Sequence, residues 1–212
     1  MKLYADPMAC SLASHVALVV AGLPFEVVWV DNAAKRTDDG RDYYTINPKG
    51  LVPVLELDDG SRLTEGAAVL QYIGDRAPAA QLVPPTDSAA RYRLQEWLSY
   101  IATELHKAVF NPYFGAHKQD VLPPQELQRY VLGLLEPRLD FLEAQLQGRR
   151  WLDGERFSVA DAYLLAILNW VQYVKMPMQR WPAIAAYHQG LLEMPAVRQV
   201  LREERQRYAQ RA

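Results

Sequence analysis

Cysteine is the scarcest reactive side chain in this sequence, which contains Cys10 and no other cysteine. One cysteine cannot form an internal disulfide, so the chain suits a reducing compartment, and we expect it in the cytoplasm. The single thiol is then either a small buried residue or a group with a chemical role.

A strong net charge and long apolar runs are also missing. Lys and Arg number 23 against 25 Asp and Glu, which gives a formal net charge of −2. This balance provides no electrostatic reason to expect nucleic acid or an anionic membrane as a partner. No apolar run approaches the length of a membrane span, and the N-terminus lacks the pattern of a secretory signal peptide.

Cys10 lies where a short strand pattern gives way to an apolar helix pattern. Residues 2–5 predict a strand, and Asp6-Pro7 predicts a turn because proline fixes φ. From Leu12 onward, apolar residues recur at helical spacing. Cys10 is therefore predicted close to a helix N-terminus, where the helix dipole favours a thiolate and any small anionic ligand beside it.

The order of these patterns divides the chain into two predicted domains. Residues 1–78 follow the order β-α-β and then β-β-α, with a hairpin turn at Asp58-Asp59-Gly60 and Thr64 as the candidate N-cap of the last helix. A proline-containing linker, 79–87, separates them from residues 88–212, which carry only helical patterns. We predict a small sheet with packed helices followed by an all-helical domain.

The segment from Asn47 to Val54 carries two prolines and a glycine at the start of a strand. Pro53 is a candidate for a cis peptide bond, which would turn the N–H and C=O of Val52 outward to pair with a peptide-like ligand. An ordinary loop before an edge strand is the alternative, and the spacing alone favours that alternative.

Glu65 and Gly66 lie at the predicted start of a helix. Backbone N–H groups at such a place can hold a carboxylate, and glycine allows a ligand to come close. Glu65 could pair with an ammonium group, so one ligand that bears both charges would suit the position. The alternative is a capped helix with an acidic first turn.

Ser158 and Asp161 stand three residues apart just before an apolar helix, which is the spacing of a capping box. We interpret this pair as structural. Replacing either residue should cost on the order of 1 kcal/mol or more and hinder folding, without removing any chemistry.

Together, five segments resemble the cytosolic glutathione transferases, specifically the bacterial beta class. They are residues 9–12, 47–53, 64–66, 103–107 and 158–161. The resemblance covers essentially the whole chain and implies an α/β thioredoxin-like N-terminal domain, an all-α C-terminal domain and a homodimer. It also implies a transferase that uses glutathione as co-substrate and holds no metal.

The resemblance assigns roles at a glutathione site. Val52, before a cis Pro53, would pair with the cysteinyl backbone. Glu65 and Gly66 would hold the γ-glutamyl end, and Lys35 would lie near the glycine carboxylate. Cys10 would face the glutathione sulfur, with His106 close by as the second catalytic residue. The residues implied to bind glutathione are Lys35, Val52, Pro53, Glu65, Gly66, Ser99 (where the family often has asparagine) and Thr103, the last from the partner subunit.

The expected reaction is attack of the glutathione thiolate on a small hydrophobic electrophile, which yields a thioether. A second thiol beside the glutathione sulfur suits disulfide exchange, so we also expect thiol–disulfide exchange or peroxidase activity through Cys10. Phe110 and Tyr113 are candidates for the electrophile wall, although aromatic residues at helical spacing are more often core. Tyr4 falls inside the first strand, and we interpret it as structural.

Two other functions stay open. One is a narrower glutathione-dependent dehalogenase or isomerase, because those proteins share the fold and the glutathione site. The other is a non-catalytic protein that binds glutathione or a hydrophobic ligand, although the complete set of thiol-site residues argues against it. The alternative for His106 is a surface histidine on a long helix, the class to which we assign His15, His117 and His188.

Overall fold

The computed structural model describes residues 1–118 and 122–210. It contains two compact units: an N-terminal unit (Met1–Pro84 together with Leu192–Ala212) and a helical unit (Pro85–Leu191). The chain divides inside the predicted linker 79–87. The last helix, however, groups with the N-terminal unit rather than with the predicted domain 88–212.

Among the described residues, five short strands form one mixed sheet in the N-terminal unit. They are β1 (Lys2–Ala5), β2 (Glu26–Asp31), β3 (Arg36–Thr37), β4 (Val54–Glu56) and β5 (Arg62–Thr64). Their order across the sheet is β3-β2-β1-β4-β5, with β1 parallel to β2 and antiparallel to β4. Because β4 and β5 are antiparallel, the turn at Asp58-Asp59-Gly60 closes the predicted hairpin.

Helices α1 (Leu12–Ala21) and α2 (Gly66–Arg76) pack against each other in this unit. Strand alternation sends Tyr4 and Val54 into a buried cluster that also contains Val52. The sheet therefore places the end of β1 and the start of β4 beside each other. This arrangement confirms the β-α-β and β-β-α order expected from the sequence.

Helix α8 (Pro195–Ala209) completes the N-terminal unit. Most of its side chains are polar and exposed, whereas Val197, Val200 and Leu201 are buried. These apolar residues recur at helical spacing on one face, and α8 packs against α1. This packing explains why the helix groups with the sheet, although it follows the all-helical segment in sequence.

The helical unit follows the predicted all-α pattern. Its elements are α3 (Ala89–Tyr100), a π-helical segment (Ile101–Phe110), α4 (Asn111–Lys118), α5 (Pro124–Leu146), α6 (Val159–Tyr173) and α7 (Pro182–Glu193). Helix α6 is mostly apolar and is buried at every position from Val159 to Leu168, as expected for the central helix of a core. No helix in the described ranges is long and apolar enough to cross a membrane.

Candidate functional site

Cys10 lies close to the N-terminus of α1, as the sequence predicted, and directly precedes the N-cap residue Ser11. Its carbonyl accepts a hydrogen bond from the Ala13 N–H at 3.2 Å, so the residue lies in the turn that leads into the helix. The side chain is partly buried and packs on the buried cluster that contains Tyr4 and Val52. Its thiol donates to the carbonyl oxygen of Val52 across 3.3 Å. The single thiol is thus partly accessible and lies beside the loop that precedes β4.

The loop before Cys10 is closed by Ser11. The Ser11 hydroxyl donates to the Asp6 carbonyl and accepts from the Asp6 N–H, each at 3.1 Å. Ser11 occupies the N-cap position of α1, but its side chain makes no capping bond. Its hydroxyl therefore fixes the turn that presents Cys10 rather than the end of the helix.

Helix α8 anchors the same loop from the other side. Buried Glu204 accepts from the Met8 N–H at 2.7 Å, and its second oxygen lies 3.0 Å from His15 Nδ1. Burial raises the pKa of Glu204, and the bond to His15 opposes that shift. The prediction that His15 is a surface residue is wrong, because its side chain is 1% exposed and packs edge-on against Phe25 and Trp29.

The 47–53 loop is held at the carbonyl of Leu51. The Tyr43 hydroxyl and Asn47 Nδ2 donate to this oxygen at 2.9 and 2.7 Å. The peptide bond between Val52 and Pro53 is cis, as the resemblance implied. Within the described part of the chain, the Val52 N–H has no hydrogen-bond partner. A backbone donor is therefore available beside the Cys10 thiol.

Glu65 is the N-cap of α2, which begins at Gly66. The prediction of Thr64 as N-cap is wrong, because Thr64 is the last residue of β5. Glu65 adopts a left-handed backbone with φ of 69°, so the chain turns into the helix one residue later than expected. Its carboxylate forms an ion pair with Lys49 Nζ at 2.6 Å. This pair joins the 47–53 loop to the start of α2.

Lys35 lies beside the same loop. Its ammonium group donates to Asn32 Oδ1 at 2.6 Å and to the Gly50 carbonyl at 2.7 Å. Gly50 adopts φ of 65°, and a Cβ added there would lie 2.6 Å from a ring carbon of Tyr44. The loop thus needs glycine at this position to orient the carbonyl that receives Lys35.

The N-terminal unit therefore brings together six of the predicted site residues around the 47–53 loop. They are Cys10, Lys35, Val52, Pro53, Glu65 and Gly66. Together with Lys49, they form a surface that offers a thiol, two lysine ammonium groups, a carboxylate and backbone groups. Such a surface is suited to an extended peptide with charged ends.

In the helical unit, Ser99 and Thr103 are exposed on successive turns. The Thr103 hydroxyl donates to the Ser99 carbonyl at 3.0 Å, so the two residues lie on one face. They are four residues apart in α3 and the π-helical segment. This face is polar and accessible, as residues that contact a polar ligand must be.

His106 lies in the π-helical segment and is largely buried. Its Nδ1 is 2.8 Å from the Tyr163 hydroxyl, and its ring packs edge-on against Trp170 with a centroid distance of 5.1 Å. Burial lowers the pKa of His106 to about 4, and the neighbouring Lys107 charge acts in the same direction. The imidazole is therefore neutral near pH 7, and the alternative of a surface histidine is wrong for this residue.

The two electrophile-wall candidates differ in exposure. Phe110 is fully buried and packs with Trp170 and Phe114, at centroid distances of 5.3 and 6.0 Å. This burial favours a core role for Phe110. Tyr113 is partly exposed, and burial together with the nearby Tyr173 raises its pKa. Tyr113 therefore has surface to offer a ligand.

The bonds expected of the Ser158 and Asp161 pair are present. Asp161 accepts from the Ser158 N–H at 2.8 Å and from its hydroxyl at 2.7 Å. It also accepts from the Leu152 N–H and from the Tyr187 hydroxyl, at 2.8 and 2.6 Å. Burial raises the pKa of Asp161, and these donors oppose the shift. The carboxylate therefore joins the start of α6 to a loop and to α7.

His188 also departs from the sequence-based expectation. It was expected at the surface, but its side chain is 5% exposed and lies 3.0 Å from Asn169 Oδ1 and 3.2 Å from Gln172 Nε2. Burial lowers the pKa of His188 to about 4. The side chain of His117 lies outside the described part of the structure. No group of three metal-ligating side chains occurs within the described ranges.

Comparisons with known sequences identify the family of this chain. The family model "Glutathione S-transferase, N-terminal domain" matches residues 7–76, and "Glutathione S-transferase, C-terminal domain" matches residues 96–195. The chain is 45% identical over 204 residues to glutathione S-transferase GstA of Escherichia coli O157:H7, covering 96% of this chain and 98% of the relative. The chain belongs to the glutathione S-transferase family.

Solved structures of this family share the fold across the whole chain. A sphingomonad glutathione S-transferase complexed with glutathione matches with a TM-score of 0.87 and 42% identity, over 96% of this chain and 98% of the other. A bacterial beta-class glutathione S-transferase from Sphingomonas chungbukensis matches with a TM-score of 0.89 and 38% identity, at the same coverage. The predicted family and fold class are confirmed.

The contacts of three residues were not predicted from the sequence. Lys49 belongs to a quoted motif, but the motif gave no sign that its ammonium pairs with Glu65. Tyr163 contacts His106 from 57 positions away, and Glu204 reaches Met8 from 196 positions away. Local patterns carry no signal for such distant pairs.

Proposed function

We propose that this chain is a glutathione S-transferase that joins the glutathione thiolate to small hydrophobic electrophiles. The observation that carries the proposal is the Cys10 thiol, 3.3 Å from the carbonyl of Val52 and beside the Val52 N–H. A tripeptide that pairs its cysteinyl backbone with Val52 places its own sulfur next to Cys10. Membership of the family supports this choice of ligand.

We propose the remaining contacts from charge. Glutathione has an ammonium and a carboxylate at its γ-glutamyl end, and Glu65 with the start of α2 offers the opposite charges. The glycine carboxylate at the other end is assigned to Lys35, whose ammonium lies on the 47–53 loop. Ser99 and Thr103 are assigned to further polar contacts, with Thr103 coming from the partner subunit.

The first task of such an enzyme is to stabilise the glutathione thiolate, because a thiol is mostly protonated near neutral pH. We propose that the N-terminus of α1 and the Cys10 thiol supply this stabilisation. A neutral Cys10 thiol donates a hydrogen bond, as it does to Val52, and does not repel the thiolate. His106 is neutral near pH 7, so we assign it a hydrogen-bonding role rather than a positive charge.

In the conjugation step, the glutathione sulfur attacks an electrophilic carbon, for example one that bears chloride. The carbon–sulfur bond forms, and chloride leaves with the bonding electron pair. The thiol proton passes to water before the attack. We propose that partly exposed Tyr113 contributes to the electrophile wall, whereas buried Phe110 supports the aromatic residues behind it.

Cys10 also supports a second activity, thiol–disulfide exchange. Its thiolate attacks the glutathione sulfur of a mixed disulfide, which forms a Cys10–glutathione disulfide and releases the other thiolate. A second glutathione thiolate then attacks this disulfide. Oxidised glutathione leaves, and the Cys10 thiolate is regenerated.

We further propose a homodimer in the cytoplasm. Trp97, Tyr100 and Phe141 form an aromatic group in the helical unit, with Phe141 46% exposed and 5.1 Å from Tyr100 between centroids. Exposed aromatic groups of this kind are frequent at protein interfaces. Light scattering should give twice the 24.1 kDa of one chain, and a mass of one chain would contradict the dimer.

The experiment for the main activity combines binding with turnover. Calorimetry should show binding of glutathione, and a chlorinated dinitroarene should be converted to its glutathione thioether faster than without protein. Cysteinylglycine is the matched ligand, because it lacks the γ-glutamyl group assigned to Glu65, and we expect it to bind at least about tenfold more weakly. Glutathione binding without turnover would favour a binding protein instead.

A further inference from the structure

Lys49 and Glu65 form an ion pair that joins the 47–53 loop to the start of α2, where we assign the γ-glutamyl end of glutathione. The Lys49 Nζ lies 2.6 Å from Glu65 Oε1 and 2.9 Å from Thr64 Oγ1. The side chains are 50% and 61% exposed, so a ligand can reach both charges. Exposed pairs of this kind are weak and exchange partners readily.

The backbone under this pair is fixed by hydrogen bonds, whereas the Lys49 side chain is half exposed. The Lys49 N–H donates to Asn47 Oδ1 at 3.1 Å, and Asn47 also holds the Leu51 carbonyl. Glu65 is the N-cap of α2, yet its side chain makes no capping bond. The flexible stem of Lys49 therefore moves its charge within a fixed frame.

A ligand group that carries both an ammonium and a carboxylate can replace this ion pair with two new ones, so that every charge keeps an opposite partner. When the ligand ammonium binds Glu65, Lys49 loses its partner. The α-carboxylate, attached to the same carbon as the ammonium, then supplies a new partner for Lys49. One ion pair becomes two, whereas a ligand with only an ammonium group displaces Lys49 and offers nothing in return.

We propose that Lys49 is a specificity residue that recognises the α-carboxylate of the γ-glutamyl group. This inference rests on the proposed function, because it takes glutathione as the ligand and Glu65 as the partner of its ammonium group. It adds that Lys49 and Glu65 together recognise the α-carboxylate and the α-ammonium of the γ-glutamyl residue.

The test compares two ligands on three proteins by calorimetry. The ligands are glutathione and 4-aminobutyryl-cysteinylglycine, which keeps the amine but lacks the α-carboxylate. Lys49→Gln should weaken glutathione binding about fivefold, the loss of one exposed ion pair. The same substitution should leave the affinity for the analogue unchanged or increase it, because Lys49 no longer competes for Glu65. Lys49→Arg keeps the charge and should keep glutathione affinity within about twofold of the wild type.

Lys2→Gln is the matched control, since Lys2 is 46% exposed and its Nζ lies 3.9 Å from Glu56 Oε1 in the same unit. It should change neither affinity. Tighter glutathione binding by Lys49→Gln would overturn the inference and show that Lys49 only competes for Glu65. Equal weakening of both ligands, or an equal effect of Lys2→Gln, would overturn it as a general charge effect. Failure of the wild type to bind glutathione would overturn the proposed function itself.

Discussion

The polar groups of the proposed glutathione site in the N-terminal unit and those in the core of the helical unit are held in different ways. In the N-terminal unit, the Lys49–Glu65 pair is exposed, and the N–H of Val52 faces no partner among the described residues. In the helical unit, Asp161 is fully buried and is surrounded by its donors, and His106 is buried against Tyr163. The exposed groups of the proposed site remain accessible to a ligand, whereas the buried groups of the helical unit hold its helices, as buried Glu204 and His15 do in the N-terminal unit.

Because of this difference, substitutions in the two places should affect different quantities, ligand affinity in one case and stability in the other. A change to an exposed group of the N-terminal unit should alter ligand affinity and leave the free energy of unfolding almost unchanged. A change to a buried group of the helical unit should lower the free energy of unfolding, because its partners would be left unsatisfied. The largest expected effect on stability therefore belongs to a residue outside the proposed glutathione contacts.

Asp161→Ala tests the stability side of this comparison. The substitution removes the acceptor of four hydrogen bonds from Ser158, Leu152 and Tyr187, and leaves buried donors unsatisfied. We expect the free energy of unfolding to fall by about 4 kcal/mol, measured by urea denaturation. Glu96→Ala is the control, because Glu96 is exposed and its solvent-screened ion pair with Arg93 contributes little to stability. Similar losses for both variants would contradict the comparison.

The buried histidines of the helical unit predict a pH dependence of stability. The pKa of His188 is lowered to about 4 in the folded chain, against about 6.5 when unfolded. As pH falls, the unfolded chain therefore binds the proton first. The stability from this group is complete above about pH 6.5 and is lost progressively down to about pH 4.

His188→Gln isolates this effect. Between about pH 7.5 and about pH 5, the wild type should lose about 2 kcal/mol more unfolding free energy than the variant. His106 is present in both proteins, so its own contribution cancels. Urea midpoints at the two pH values provide the measurement, and equal losses in the two proteins would show that His188 titrates normally in the folded chain.

Gly50→Ala tests whether the backbone of the 47–53 loop contributes to glutathione binding. Alanine at φ of 65° should cost about 1 kcal/mol, and its Cβ would push the half-exposed ring of Tyr44 aside. Gly40→Ala is the control, because Gly40 also has positive φ but open space around its Cα. Both variants should lose similar stability by urea denaturation. Only Gly50→Ala should weaken glutathione binding, because the Gly50 carbonyl holds Lys35, and unchanged affinity would contradict this role of the loop.

Much of the fold could be predicted because its signals are local. The Asp58-Asp59-Gly60 turn lies between two apolar runs and forms a hairpin, and the helical patterns after residue 88 form helices. The placement of α8 was not predictable, because its buried contacts with α1 join segments that are distant in sequence. Thr64 was chosen as N-cap on residue type, but the left-handed backbone of Glu65 moves the helix start.

The residues of the candidate site and its surroundings also divide into those with a local sequence signal and those that depend on distant contacts. Cys10, Pro53 and Glu65 stand in motifs whose spacing is visible in the sequence, so they could be named in advance. The burial of His15 and His188 depends on partners contributed by other helices, and no local pattern distinguishes them from surface histidines. The pairing of Lys49 with Glu65 likewise appears only when the loop folds against α2.

The most direct test of the central claim is a pair of assays on the wild type and Cys10→Ala with glutathione. One assay follows conjugation of a chlorinated dinitroarene, and the other follows reduction of a glutathione mixed disulfide. We predict that Cys10→Ala loses disulfide reduction and retains conjugation at a reduced rate, because the N-terminus of α1 still stabilises the glutathione thiolate without the Cys10 thiol. Survival of both activities in Cys10→Ala would contradict the claim that this thiol faces the glutathione sulfur.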